Sequence, residues 1–359
     1  MSPDAAAATP QSVSRPRDTH IDTVKFLLIF SIFIFHFEGA AGNFYPFVNL
    51  YQVSVFFLIS GFWALNRIEK SIWQFVWDAF RKYVVYWLVW VVIYTVYYTI
   101  ADSLGVRKAL ALFVRYFSGV RSTGIAGMWF TPAFFFVSFA YFLLAKSLSK
   151  IFKFSKTGLA WVCCAVCFGV YYFTKYFRPI PVKTIFSLGF VPEYLFYFSL
   201  GAVAYIYICA YKEKVKTSVI LKIFGCLITF VAFANFLLYF FKKEDMVWGW
   251  CADALGGKLS FLPTLALVLL MYVLLDCIAK YISCDFTAKI GRNTLGLCHC
   301  EMFVKSLIRY AGFLLGLTIK ATNPVASILF AFGALLVGCY VVLPAADTVT
   351  KRILPVKRV

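Results

Sequence analysis

Two side chains near the start of the chain are spaced to do chemistry together, Lys25 and His36. Both fall in an apolar run, where an ionisable group is costly and therefore a functional candidate by default. Eleven helical steps of about 100° bring the second within about 20° of the first, about 16 Å further along the axis. One stripe of a helix thus carries a cation near one membrane surface and an imidazole near the other. An imidazole is well matched to general-base work near neutral pH. Asp22, three residues before Lys25, is spaced to pair with it, while Glu38, two residues after His36, points elsewhere on the helix. The plainer readings are a Lys25 that snorkels to the headgroups and a His36 that is a hydrogen-bonded, inert interface residue.

Only a membrane-spanning element gives that stripe meaning, and the composition supplies one. Hydrophobic residues make up 62% of the chain and charged residues 14%, against roughly 45–50% and 25% in soluble domains. Such a chain is not disordered, not a nucleic-acid-binding domain and not a disulfide-stapled secreted module. Long apolar runs must satisfy their backbone groups internally, so the expected fold is all-α: a polytopic integral membrane helical bundle. Ten spans are expected, at about 22–39, 47–66, 83–101, 128–147, 158–175, 185–208, 218–241, 259–280, 293–317 and 325–344. Residues 1–20 read as a disordered cytoplasmic tail without a signal peptide, 21–345 as the transmembrane domain, and 346–359 as a basic cytoplasmic tail.

The net charge of +19 fits this picture. With both termini inside, twenty Lys and Arg fall in the inner segments and eleven in the outer loops, the bias expected of cytoplasmic loops. A basic inner face also suits an anionic cytosolic ligand or anionic membrane lipids. In the 102–127 loop, Val106–Phe117 alternates basic and apolar residues at helical spacing, as an interfacial helix does. The eleven cysteines lie mostly in apolar runs, and the chain has only three histidines, His20, His36 and His299. A zinc site needs about four convergent ligands, so no metal is expected and the thiols read as packing groups.

Further motifs follow in order. The second span ends Phe56-Phe57-Leu58-Ile59-Ser60-Gly61-Phe62, and its Ser-Gly pair suits close helix packing. Phe80-Arg81-Lys82-Tyr83, with Tyr86, opens the third span. Trp129-Phe130 opens the fourth, Tyr197-Phe198-Ser199-Leu200-Gly201 lies in the sixth, and Ile290-Gly291-Arg292-Asn293-Thr294-Leu295-Gly296 precedes a late helix. Together with Asp22, Lys25 and His36, this series resembles acyltransferase family 3, the membrane enzymes that O-acetylate bacterial glycans, over residues 17–345. The chain has Lys25 where the family usually has Arg, which keeps the charge but loses the planar fork. It has Glu301 where a late-helix histidine is common, with His299 two residues earlier.

The resemblance implies a multi-pass enzyme of the cytoplasmic membrane. It would move an acyl group, usually acetyl, from acetyl-CoA or another acyl-CoA to a hydroxyl of a glycan, a lipid-linked saccharide or another envelope acceptor. Lys25, Arg81, Lys82 and Arg292 would receive the CoA phosphates, His36 would act as base, and Glu38 or Glu301 would orient its ring. Arg81, Lys82 and Arg292 read equally well as ordinary topology charges. Trp129, Trp248 and Trp250 lie near span ends, as an aromatic belt or as an acceptor platform. The rival class is a secondary transporter of a small polar or anionic solute, which also buries Lys, His and Glu but more often shows matching inverted halves.

Overall fold

The computed structural model describes residues 18–121, 127–181, 183–215, 218–242, 257–317 and 320–353. Among these residues the chain is helical, without a strand. Eight helices or helical runs are long and apolar enough to cross a membrane, and the chain is a multi-pass, all-α bundle. Two expected spans remain, one short and one charged. The first helix, α1 (Thr19–Phe35), has 17 residues, about 25 Å of rise. The late helix Thr294–Leu314 carries Glu301, Lys305 and Arg309 in its 21 residues.

α1 sits inside the bundle. Its N-terminus is capped by Asp18, whose Oδ1 accepts from the amides of His20 and Ile21 at 3.0 and 3.3 Å, satisfying donors that a helix start leaves open. Ile21, Val24, Phe26, Leu28, Ile29, Phe33 and Ile34 are all buried, covering most of the helix circumference, as in a core helix. The following helix α2 (Phe44–Gly61) packs on α1 and on a later one, Val191–Val215. The latter contact is backbone to backbone. A Cβ on Gly61 would strike the carbonyl oxygen of Phe198, and one on Gly201 would strike that of Leu58. Small residues permit such an approach, as the Ser-Gly pair predicts. Gly201→Val should therefore lower the melting temperature of the detergent-purified protein by several degrees. An unchanged melting curve would show that the two helices separate freely.

The third expected span is a single run of 30 residues, Ile72–Ala101. It comprises α3 (Ile72–Ala79), a π-helical turn at Phe80–Val84 and α4 (Val85–Ala101). At about 45 Å it exceeds the hydrocarbon thickness of about 30 Å, so its α3 end projects from the core. α5 (Val106–Phe117) is the helix expected in the 102–127 loop. Tyr116 packs against Tyr94 and Tyr98 of α4, while Val106, Leu110 and Val114 are exposed. α6 (Phe130–Ile151), α7 (Lys156–Tyr176), α8 (Val191–Val215), α9 (Val219–Lys242) and α10 (Phe261–Ile282) follow. The short α11 (Asp285–Arg292) leads into α12 (Thr294–Leu314), then α13 (Pro324–Val337) and α14 (Leu343–Ile353). The tails expected at 1–20 and 346–359 lie mostly or partly outside the described residues, at 1–17 and 354–359.

Candidate active site

The last turn of α1 and the middle of α12 form the site. His36 caps α1 just past its final residue. Its Nδ1 is 2.7 Å from Oε2 of Glu301. An ionised carboxylate only accepts, so Nδ1 carries the proton and the Nε2 lone pair is left for chemistry, the tautomer logic of an orienting acid. The other oxygen of Glu301 accepts from Lys305, one turn further along α12. Glu301 and Lys305 are fully or almost fully buried, while 21% of the His36 side chain is accessible.

Lys305 has a second attachment. Its Nζ donates to the Phe33 carbonyl at 2.8 Å, and the Phe37 amide donates to Ile34 at 3.0 Å. The ammonium thus supplies a donor at a helix C-terminus, where carbonyls lack intrahelical partners and the dipole favours a cation. It also stands 4.3 Å from the Phe37 ring centroid. One side chain therefore ties the acid of α12 to the helix end that presents His36. The carboxylate and ammonium offset each other, as buried charges must.

A tyrosine holds the α12 backbone at this level. The buried Tyr94 hydroxyl donates to the His299 carbonyl at 2.7 Å and accepts from the Phe303 amide at 3.1 Å. These are the acceptor and the donor of one helical rung, and it encloses Glu301. His299 is buried on another side of α12. Its Nε2 is hydrogen-bonded to Thr131 Oγ1 at 2.8 Å. Glu38, the other candidate for orienting the imidazole, is exposed in the turn that follows α1 and has a φ of 46°; Glu301 is the acid that meets His36.

Of the cations expected to receive phosphates, Lys25 and Arg292 lie toward the other end of α1. Lys25 reaches Asp22 at 3.4 Å, the pairing expected from their spacing, and lies 5.9 Å from the Trp63 ring centroid. Arg292 is the exposed last residue of α11. Its neighbour Gly291 is pressed against the Asp22 carbonyl, where a Cβ would not fit. Arg292 and Lys25 thus flank one helix contact. Arg81 and Lys82 sit in the π-helical turn, over the rings of Trp77 and Tyr83 at 5.9 and 5.3 Å. About one turn later, the Tyr86 hydroxyl lies against Gly296 at the start of α12.

Trp129 is buried at the start of α6, with its ring 6.0 Å from Tyr194 and under the Arg121 guanidinium at 4.8 Å. Trp248 and Trp250 lie outside the described residues. Lys305 and Tyr94 are the members of the site that were given no role from the sequence. Among the described residues, no group of three or more His, Cys, Asp and Glu side chains converges as a metal ligand set.

A protein-family model described as an acyltransferase domain matches residues 18–343. No curated protein and no solved structure matches the chain.

Proposed function

Because the chain belongs to acyltransferase family 3, we propose that this membrane acyltransferase takes an acetyl group from acetyl-CoA and delivers it to a hydroxyl of a saccharide or other cell-envelope acceptor. The observation that carries the reading is the His36–Glu301–Lys305 chain. It is a base held in one tautomer by a buried, charge-balanced acid, and it stands at a helix end accessible to substrate.

The donor approaches from the cytoplasmic side, where Lys25, Arg81, Lys82 and Arg292 receive its phosphates by charge-assisted hydrogen bonds. Its thioester arm runs along α1 to His36. His36 Nε2 takes the proton of the acceptor hydroxyl as the oxygen attacks the thioester carbon. The imidazolium is held by Glu301, whose carboxylate accepts from Nδ1. The tetrahedral intermediate then expels the CoA thiolate, which receives the proton back from His36, leaving an ester and a free thiol. No serine or cysteine nucleophile is needed. In this reading both tails are cytoplasmic and His36 faces the outer half of the cytoplasmic membrane.

The test is the conversion of radiolabelled acetyl-CoA by the purified protein with an envelope saccharide extract. Labelled ester and free CoA are expected in equal amounts. Solute flux without acylation would favour a transporter instead. In the same assay, Arg81→Gln/Lys82→Gln should raise the KM for acetyl-CoA about tenfold at low salt, and less at high salt, where exposed charges are screened. An unchanged KM would leave these residues as topology charges only.

A further inference from the structure

We infer that Arg121 forms, with Lys175, a subsite for a negatively charged sugar of the acceptor. The inference rests on the acceptor being a saccharide, as proposed above. It follows from how the guanidinium is mounted. Arg121 lies 4.8 Å from the ring centroid of Trp129 and 4.8 Å from that of Phe190. Stacking of this kind engages the faces of the group; one in-plane donor meets the Tyr194 hydroxyl, and the rest of the fork matches a carboxylate or phosphate. Arg121 is itself exposed, although the rings beneath it are buried or half-buried.

The mount is built rather than incidental. The segment before Arg121 is fastened to the turn Ile185–Phe190. The Phe186 amide donates to the Ser118 carbonyl at 2.6 Å, and the buried Ser187 hydroxyl donates to the Gly119 carbonyl at 2.8 Å. Phe186 and Ser187 both have positive φ, 55° and 54°. Two successive non-glycine residues in that region store strain, and such strain persists only where surrounding structure enforces it. Gly119 also has a positive φ, 59°, and a Cβ there would crowd the Pro132 ring. The strained turn fixes the loop, and the loop holds the guanidinium over its aromatic floor.

The surrounding charges are mainly positive. Lys175 reaches the Tyr171 hydroxyl at 2.9 Å and stands over the rings of Tyr171 and Tyr176. Lys258 stands over Phe177 at 4.6 Å. Glu193 lies near both Arg121 and Lys175 without closing an ion pair to either. A carboxylate beside two cations and aromatic rings also suits the hydroxyls of a sugar. The floor of the subsite connects to α12 through Thr131, two residues after Trp129, whose hydroxyl is hydrogen-bonded to His299 at 2.8 Å.

The test is a binding titration of the full-length protein in neutral-lipid nanodiscs, without acetyl-CoA, so that it reads the subsite whatever the acyl donor proves to be. The probes are trigalacturonate, its methyl ester and glucose 1-phosphate. Trigalacturonate should bind at least tenfold more tightly than its uncharged ester, and Arg121→Gln should remove that difference. Lys175→Gln should reduce it. Preference for glucose 1-phosphate over trigalacturonate would place the charge on a phosphate and still support the subsite. Equal binding of acid and ester, no binding of either anion, or an Arg121→Gln protein of normal melting temperature that keeps the preference would overturn it. If the anion binds but no labelled ester forms in the acetyl-CoA assay, the donor reading fails and the subsite stands.

Discussion

Purified protein carrying His36→Ala is expected to transfer acyl groups about 10²–10⁴-fold more slowly than the parent, the contribution typical of general acid–base catalysis. The loss should fall on kcat, with the KM for the donor little changed, because Lys25 and Arg292, proposed to receive the donor's phosphates, lie away from the helix end that presents His36. The melting temperature should hold as well. His36 stands beyond the last helical residue and is partly accessible, so its removal opens no large cavity. Glu301, still paired with Lys305, remains charge-balanced in the variant. A folded His36→Ala protein that acylates at the normal rate would remove the base from the mechanism.

The second large effect concerns the buried pair behind the histidine. Lys305→Met leaves the Glu301 carboxylate without its ammonium and the Phe33 carbonyl without its donor. Breaking one partner of a buried ion pair costs about 3–5 kcal/mol, so the single variant should be strongly destabilised. Glu301→Gln/Lys305→Met removes both charges together and should recover much of that stability, measured by thermal unfolding in detergent. Activity should not return, because a neutral amide stabilises an imidazolium poorly. Lys305→Arg keeps the charge and should retain more activity than the methionine variant. Additive losses in the double variant would show that the two charges are not coupled.

Much of this organisation was legible before any coordinates. Apolar runs marked the helices, because a bilayer leaves the backbone few alternatives. Lys25, Asp22 and His36 stood out because charge in an apolar run is costly. Glu301 was visible for the same reason, but its partner was not identified. The i,i+4 spacing of Glu301 and Lys305 was available as a signal, yet Lys305 read as one more cation within a span. Its role depends on Phe33, 272 positions away in sequence, and no periodicity reports such a contact. Tyr94 was hidden for a similar reason: its hydroxyl matters through the backbone of another helix. Trp129 read as a belt residue or an acceptor platform, because its position at a span end says nothing of the guanidinium over its ring. His36 is the C-cap of α1, and its amide still bonds to the Ile32 carbonyl at 3.3 Å.

The anchorage of α1 at both ends has a consequence for donor choice. At one end Asp18 caps the helix, His20 meets Asp276 at 2.8 Å and Thr23 meets Thr287 at 3.0 Å. At the other, Lys305 grips the Phe33 carbonyl. A helix clamped in this way works as a ruler. For a donor held at Lys25 and reacting at His36, it sets the reach that the thioester arm must have, about 16 Å along the axis. A truncated thioester gripped at the same cations would fall short, and one that reached the histidine would lose the grip. On the proposed mechanism, selection of the donor then rests on length as well as charge.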